Sequence, residues 1–206
     1  MKRVDQLAVV DSEKCVGCKT CEKVCPVLAI KVVDKKAVVD VPNCTGCSGC
    51  QQRCMFGAIH MINREDPYVI EFKWDKANQK EIDALCRKAH FNPQQIICYC
   101  TETRAQEVAA AILEGNDTPE KISAKTGIRT GCKIECIQPI LRLLDAAGIK
   151  PERPEGGYQW YGLTPTIYDI PEDVKEKYSS RGFDFKGDIE IFNEVRDAEV
   201  NNEEEI

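Results

Sequence analysis

The sequence has only two histidines, His60 and His90, which leaves almost no material for a histidine-built metal or catalytic site. There is no Gly-x-Gly-x-x-Gly turn after a strand and no Gly-x4-Gly-Lys-Ser/Thr loop, so the usual backbone cradles for dinucleotides and nucleoside triphosphates are missing. No nucleophile-base signature is visible either, and no substrate site of the chain's own can be read. No uncharged apolar run approaches the ~18 residues of a membrane helix. Met1-Lys2-Arg3-Val4-Asp5 leads into no apolar export signal, so a cytoplasmic chain without a membrane span is expected.

Cysteine is the residue in excess: 13 of them, far more than packing requires. Eight fall into two copies of C-x2-C-x2-C-x3-C, Cys15-Val-Gly-Cys18-Lys-Thr-Cys21-Glu-Lys-Val-Cys25 and Cys44-Thr-Gly-Cys47-Ser-Gly-Cys50-Gln-Gln-Arg-Cys54. This spacing lets three thiolates on one loop hold three corners of an iron-sulfur cube, while the fourth faces away toward the other cube. One [4Fe-4S] cluster then takes Cys15, Cys18, Cys21 and Cys54, and the second takes Cys25, Cys44, Cys47 and Cys50. A zinc ribbon, the other use of C-x2-C pairs, leaves half of these thiols unexplained. The stretch resembles the bacterial two-cluster [4Fe-4S] ferredoxin. Met55 stands where that family often has a second proline after the last cysteine of the motif.

Around the cysteines, residues 7–11 read as a strand and Lys19 to Cys25 as a helical turn or two stopped by Pro26. Ala29 to Val33 and Ala37 to Val41 read as a hairpin about Asp34-Lys35-Lys36. Cys25-Pro-Val-Leu-Ala-Ile30 and Cys54-Met-Phe-Gly-Ala-Ile59 match in register, so a pseudo-two-fold pair of βαβ units is expected. Such a unit is too small to bury much apolar surface, which makes the clusters its core and couples metal binding to folding. The net charge of −6 conceals a distribution: residues 184–206 hold nine acidic and two basic side chains, while residues 1–64 hold ten basic and six acidic. Free shuttle ferredoxins of the resembled family are usually acidic, so the positive excess points to a domain docked on a partner. The basic residues are scattered, which argues against a nucleic-acid stripe.

Residues 64–75 read as a connector and Asn78 to His90 as a helix with Ile82, Leu85, Cys86 and Ala89 on one face. Cys86 fits no ligand pattern and reads as a small buried hydrophobe. The second cysteine set is Cys98-Tyr99-Cys100 and, after 31 intervening residues, Cys132-Lys-Ile-Glu-Cys136. Two thiol pairs suit a [2Fe-2S] cluster with two ligands per iron, and equally one zinc. Helices are expected over Thr103 to Glu114, Lys121 to Thr126 after the Thr118-Pro119 start, and Cys136 to Ala147. Cys98, Cys100, Thr118-Pro-Glu-Lys-Ile122, Thr126-Gly127, Thr130-Gly131-Cys132 and Cys136 together resemble the bacterioferritin-associated ferredoxin-like [2Fe-2S] domain. By that resemblance Cys98, Cys100, Cys132 and Cys136 hold a [2Fe-2S] cluster. The family commonly closes with C-x2-C; here the spacing is C-x3-C, an i, i+4 pair if both cysteines share a helix.

From Pro151 onward prolines and glycines, among them Pro154, Gly156 and Gly157, interrupt any long periodic element, yet Tyr158, Trp160, Tyr161, Leu163, Ile167, Tyr168 and Ile170 are too apolar for a free linker. An extended arm wrapping a neighbouring subunit explains both facts, and an arm folded back on its own domains is the alternative. Pro171 to Ser180 reads as a short helix, Ile189 to Phe192 as a strand, and Asn201 to Glu205 as a disordered acidic end. The expected fold is α+β: a dicluster domain over 1–64, a helical connector over 65–94, a small all-α [2Fe-2S] domain over 95–150 and a partner-binding arm over 151–206. Domains resembling the second occur fused into multi-subunit flavin enzymes. The resemblance therefore implies an electron-transfer subunit that moves single electrons between one [2Fe-2S] and two [4Fe-4S] clusters, with a flavoprotein or other oxidoreductase subunit as partner. A free-standing polyferredoxin shuttle is the alternative.

Overall fold

The computed structural model describes residues 2–153 and 161–199. Expectations for Pro154, Gly156, Gly157, Tyr158 and Trp160, and for the acidic end at 201–205, lie outside the described residues. The described chain is mixed α and β, with small two-stranded sheets and eight α-helices. No helix among these residues is long and apolar enough to cross a membrane.

Strand β1 (Lys2–Val10) pairs antiparallel with β4 (Ile59–Ile70), from Lys2 opposite Ile70 to Val10 opposite Ile59, with an irregularity between Val4 and Gln6. β2 (Ile30–Val33) and β3 (Lys36–Val39) form a tight hairpin. Asp34 and Lys35 at its tip have φ of 48° and 63°, the left-handed pair that a two-residue hairpin turn requires. Helices α1 (Thr20–Val24) and α2 (Gly49–Gln52) each follow one cysteine loop. Their buried neighbours are mostly small: Ala8, Ala29, Ala37, Val27, Ile30 and Ile59, together with Cys21, Cys25 and Cys44.

β4 continues through residues expected to be a connector. Arg64 donates to the carbonyls of Val41 and Cys44, and the Tyr68 hydroxyl lies 3.3 Å from the Pro42 and Cys44 carbonyl oxygens. The strand persists because its side chains clamp the second cysteine loop, which local sequence pattern does not reveal.

The second unit is built on α3 (Gln79–Lys88), α4 (Ala105–Leu113), α5 (Pro119–Thr126) and α6 (Ile137–Ala146). Asn78 caps α3 by accepting from Lys80 N, and Thr118 caps α5 by accepting from Lys121 N with Pro119 in the first turn. Ile82, Leu85, Val108, Ile122, Ile140 and Leu144 interlock in a core that also takes Cys86. This unit is not purely helical: β5 (Ile96–Cys98) pairs with β6 (Thr103–Arg104), so α4 starts two residues later than expected. Glu107 accepts from Arg104 N at 2.7 Å and fixes that start.

Over the described residues 161–199 the C-terminal segment is not an extended arm. It holds α7 (Glu172–Ser179) and α8 (Phe185–Asp197), and the strand expected at Ile189–Phe192 is part of α8. Asp184 caps that helix by accepting from Gly187 N, and Phe185, Ile189 and Phe192 follow helical spacing, so a short apolar run was misassigned as a strand. The segment folds back over the second unit. Tyr168 stacks on His90 at 3.8 Å between centroids, Gln138 bonds Gly162 O and Thr164, and Tyr161 donates to Glu120 at 2.6 Å. Buried Asn92 donates to the carbonyls of Val195, Arg196 and Ala198 at the end of α8.

Replacing Asn92 with Ala removes the donor to three carbonyls, and a loss of about 1–3 kcal/mol in docking is expected. Limited proteolysis should then cut near α8 at a lower protease dose, with the rest of the fold intact. Asp197, held down to about 2 by hydrogen bonds from Arg196 and then Arg87, gives this docking an acid limit. Its contribution is complete above the ordinary carboxyl value of 3.8 and is lost as pH falls through about 2. Protease sensitivity of α8 that rose already between pH 7 and 5 would exclude the Asp197 contacts as the docking element.

Candidate metal centres

The eight cysteines of the doubled motif are divided between two small cavities. Cys15, Cys18, Cys21 and Cys54 line one, with Val32, Ala37, Phe56 and Ile59. Cys25, Cys44, Cys47 and Cys50 line the other, with Ala8, Ala29, Ile30 and Met61. Each loop reaches this geometry through a glycine at a left-handed φ, Gly17 at 69° and Gly46 at 65°. A side chain there would also collide: a Cβ on Gly17 would lie 2.4 Å from Lys35 O, and one on Gly46 2.6 Å from Gln6 O.

Three pairs of hydrogen bonds recur in the two loops. Cys15 N donates to Asp11 O and Cys44 N to Asp40 O, both at 3.0 Å. Asp11 N donates to Ala58 O and Asp40 N to Ala29 O, both at 2.8 Å. The cross-over cysteines each accept a backbone N-H, Cys25 Sγ from Ala29 at 3.2 Å and Cys54 Sγ from Ala58 at 3.3 Å. Ala37 N donates to Cys15 Sγ at 3.4 Å. Such bonds favour thiolate over thiol and tune whatever the thiolate ligates. Burial acts the other way, pushing Cys21 up to about 11 and Cys50 up to about 12. A metal must displace those protons, so its binding is coupled to pH as well as to folding.

The third set lies at the surface of the helical unit. Cys98 and Cys136 are buried, while Cys100 and Cys132 are exposed. Hydrogen bonds from the Cys136 thiol and the Thr101 hydroxyl, the latter at 3.1 Å, hold the Cys98 thiol down to about 5, and the same shared proton together with burial pushes Cys136 up. Cys132 N donates to Cys100 Sγ at 3.4 Å. The set is therefore paired, Cys98 with Cys136 and Cys100 with Cys132. Cys132 and Cys136 do not share a helix: Lys133 has a φ of 65°, and Cys136 is the residue that precedes α6. Among the described residues no three His, Cys, Asp or Glu side chains are placed to hold a single metal ion. All of these sites have purely thiol donors, which fits iron-sulfur chemistry.

Comparison with family models gives two matches. Residues 7–55 match a 4Fe-4S dicluster domain, and residues 96–146 match a BFD-like [2Fe-2S] binding domain. The chain joins these two iron-sulfur domains. No curated protein and no solved structure matched it. Both kinds of cluster-binding domain are present, and together they indicate an electron-transfer role.

Several residues at these centres are invisible to motif reading. Thr101 bonds a sulfur only because the β5–β6 ribbon folds it back, and it also shares a 2.8 Å hydrogen bond with Thr103. Arg129 is buried behind the BFD-like site in a 3.2 Å ion pair with Glu120. Cys86 lies wholly in the core, its thiol pushed up to about 12 by burial. His60 and His90 line neither of the two cavities of the doubled motif.

Replacing Thr101 with Val keeps the shape and removes one hydrogen bond to sulfur. A bond of about 1 kcal/mol that strengthens on reduction corresponds to about 40 mV for one electron, so the [2Fe-2S] potential should fall by that order. An EPR-monitored redox titration reads the shift; an unchanged or raised potential would exclude Thr101 as a tuning residue.

Proposed function

We propose that this chain is an iron-sulfur electron-transfer subunit of a multi-subunit, flavin-containing oxidoreductase. It relays single electrons between one [2Fe-2S] and two [4Fe-4S] clusters. The observation that carries this reading is the partition of twelve cysteines into two four-thiol apolar cavities and one paired surface set, within a single chain.

The ligand sets are Cys15, Cys18, Cys21 and Cys54 for one [4Fe-4S] cluster, Cys25, Cys44, Cys47 and Cys50 for the other, and Cys98, Cys100, Cys132 and Cys136 for the [2Fe-2S] cluster. Bound there, the clusters supply one-electron redox chemistry. The chain's own contribution is to exclude water, direct backbone N-H groups at the sulfurs and hold the loops in place. Sulfurs that line a cavity or stand in pairs support clusters over single zinc ions, because a lone zinc draws all four sulfurs to ~2.3 Å from one point. The matched hydrogen bonds of the two loops support a ferredoxin-like, pseudo-two-fold dicluster domain over 1–64 whose last strand continues to Ile70. A connector over 65–94 that is helical in α3, the [2Fe-2S] domain over 95–150 and a C-terminal segment over 151–206 complete the division.

The partner surface is that C-terminal segment. Although it folds back, α8 leaves Ile191, Phe192 and Val195 each more than half exposed, and Phe183 beside it is 54% exposed. Exposed apolar groups on one element mark a docking face for another subunit. A monomeric polyferredoxin shuttle has no use for such a face.

Anaerobic affinity purification, with iron, sulfide, zinc and flavin measured in one eluate, tests the reading. About ten irons and ten sulfides per chain with a stoichiometric flavoprotein are expected. About eight irons, one zinc and no partner would overturn it. Truncation after Lys150 should retain the iron and lose the partner; full assembly of the truncated chain would remove the C-terminal segment from the interface.

A further inference from the structure

The two domains touch at a point where a side chain is missing. Gly49 lies between Cys47 and Cys50 at the start of α2, and the equivalent position in the first motif is Thr20. A Cβ placed on Gly49 would fall 1.7 Å from Lys133 Nζ and 3.8 Å from Cys47 Sγ. The ammonium thus fills the space that a residue-49 side chain would need, and it lies within the sum of those two distances of a thiol in the second quartet.

Lys133 comes from the other domain, where it follows Cys132 directly. Its left-handed backbone is uncommon for a lysine and marks a residue held by its surroundings. It is half-buried, and among the described residues no carboxylate forms an ion pair with it. A half-buried cation near thiolates is screened less than a surface charge and favours the more negative, reduced form of what those thiolates bind.

We propose that Lys133 is the link that makes the Cys25, Cys44, Cys47 and Cys50 cluster, and not the Cys15, Cys18, Cys21 and Cys54 cluster, the [4Fe-4S] partner of the [2Fe-2S] centre. The inference rests on the cluster reading given above. In the exchange one electron leaves one centre as the other gains it, with no bond made or broken and no proton required. The lysine acts as a positioning and tuning residue: it joins the Cys132 loop to the Cys47 loop and raises the potential of the cluster it faces. The side-chain-free Gly49 is what admits it.

The test uses the anaerobic full-length chain. Iron and sulfide are counted first, and each [4Fe-4S] potential is then read by EPR-monitored titration. Thr20→Val removes the hydrogen bond at Cys18 and so identifies the signal of the first cluster. K133M is expected to lower the potential of the other cluster alone, and K133R to restore it. G49A approaches the same contact from the opposite side: its new methyl group displaces the flexible end of Lys133, so the same cluster should shift in the same direction. If K133M loses iron, G49A decides. Unmoved potentials in a fully loaded G49A, or a shift in the cluster marked by Thr20→Val, overturn the role of Lys133. Too little iron in the wild-type chain for three clusters instead overturns the cluster reading on which this proposal rests.

Discussion

Thiol placement is the constraint on which the first domain depends, because its apolar core is too small to hold the fold without it. Alanines supply much of the buried set around the cysteine loops, and a fully buried alanine contributes far less than a leucine or isoleucine. The cysteines occupy the positions that large aliphatic residues hold in the helical unit. Cys21 and Cys50 resist ionisation there, yet metal ligation needs their thiolates. Binding must therefore exceed both the desolvation and the proton release, and this ties metal occupancy to the folded state. The helical unit is different in kind: Ile82, Ile122, Ile140, Leu143 and Leu144 are fully buried in a core that does not include its exposed cysteines, Cys100 and Cys132.

The ribbon of β1 and β4 connects these two kinds of stability. Its far end meets the helical unit at Gly127, where a Cβ would lie 2.7 Å from Lys2 Cβ and 3.8 Å from Ile70 Cβ. Just past it, Lys125 sits over the Phe72 ring at 5.5 Å. Val4, on the same ribbon, is 1% exposed. A strand pair that clamps the second cysteine loop through Arg64 and Tyr68 and packs on the end of α5 through Lys2 and Ile70 fixes the two domains against each other, and Lys133 meets Gly49 on that account.

The sequence made most of the local architecture legible where the chemistry is local. C-x2-C spacing, the Asp34-Lys35 turn, the Thr118-Pro119 start and the stripe of α6 all act within a few residues. Long-range partners were not legible. Residues 64–70 stay extended because Arg64 and Tyr68 find carbonyls about twenty residues away. Ile189–Phe192 has an apolar run that suits either period, and the Asp184 cap and the Asn92 contacts settle it as helix. The i, i+4 reading of Cys132 and Cys136 failed because Lys133 is left-handed, which sequence spacing cannot report. The C-terminal segment showed its apolar content but not its direction, since the groups that receive it, His90, Asn92, Glu120 and Gln138, are polar and scattered over the second unit.

The positive excess of residues 1–64 has an internal use that composition alone assigns elsewhere. Lys36 Nζ donates to Ser12 O and Cys15 O at 2.5 and 2.7 Å, at the entrance of the first cysteine loop. Arg64 donates to Val41 O and Cys44 O at the entrance of the second. Each loop thus has one cation bound at the carbonyl of its first cysteine, supplied by a strand that follows it. Four thiolates gathered in an apolar cavity repel one another, and a fixed cation beside them reduces that cost without a direct ion pair. Lys133 adds a further cation beside Gly49 of the second loop, brought from the other domain. In the first loop the cation that acts on Cys18, next to Thr20, is Lys23 of the same motif, so the two otherwise matched loops draw their positive charge from different parts of the chain.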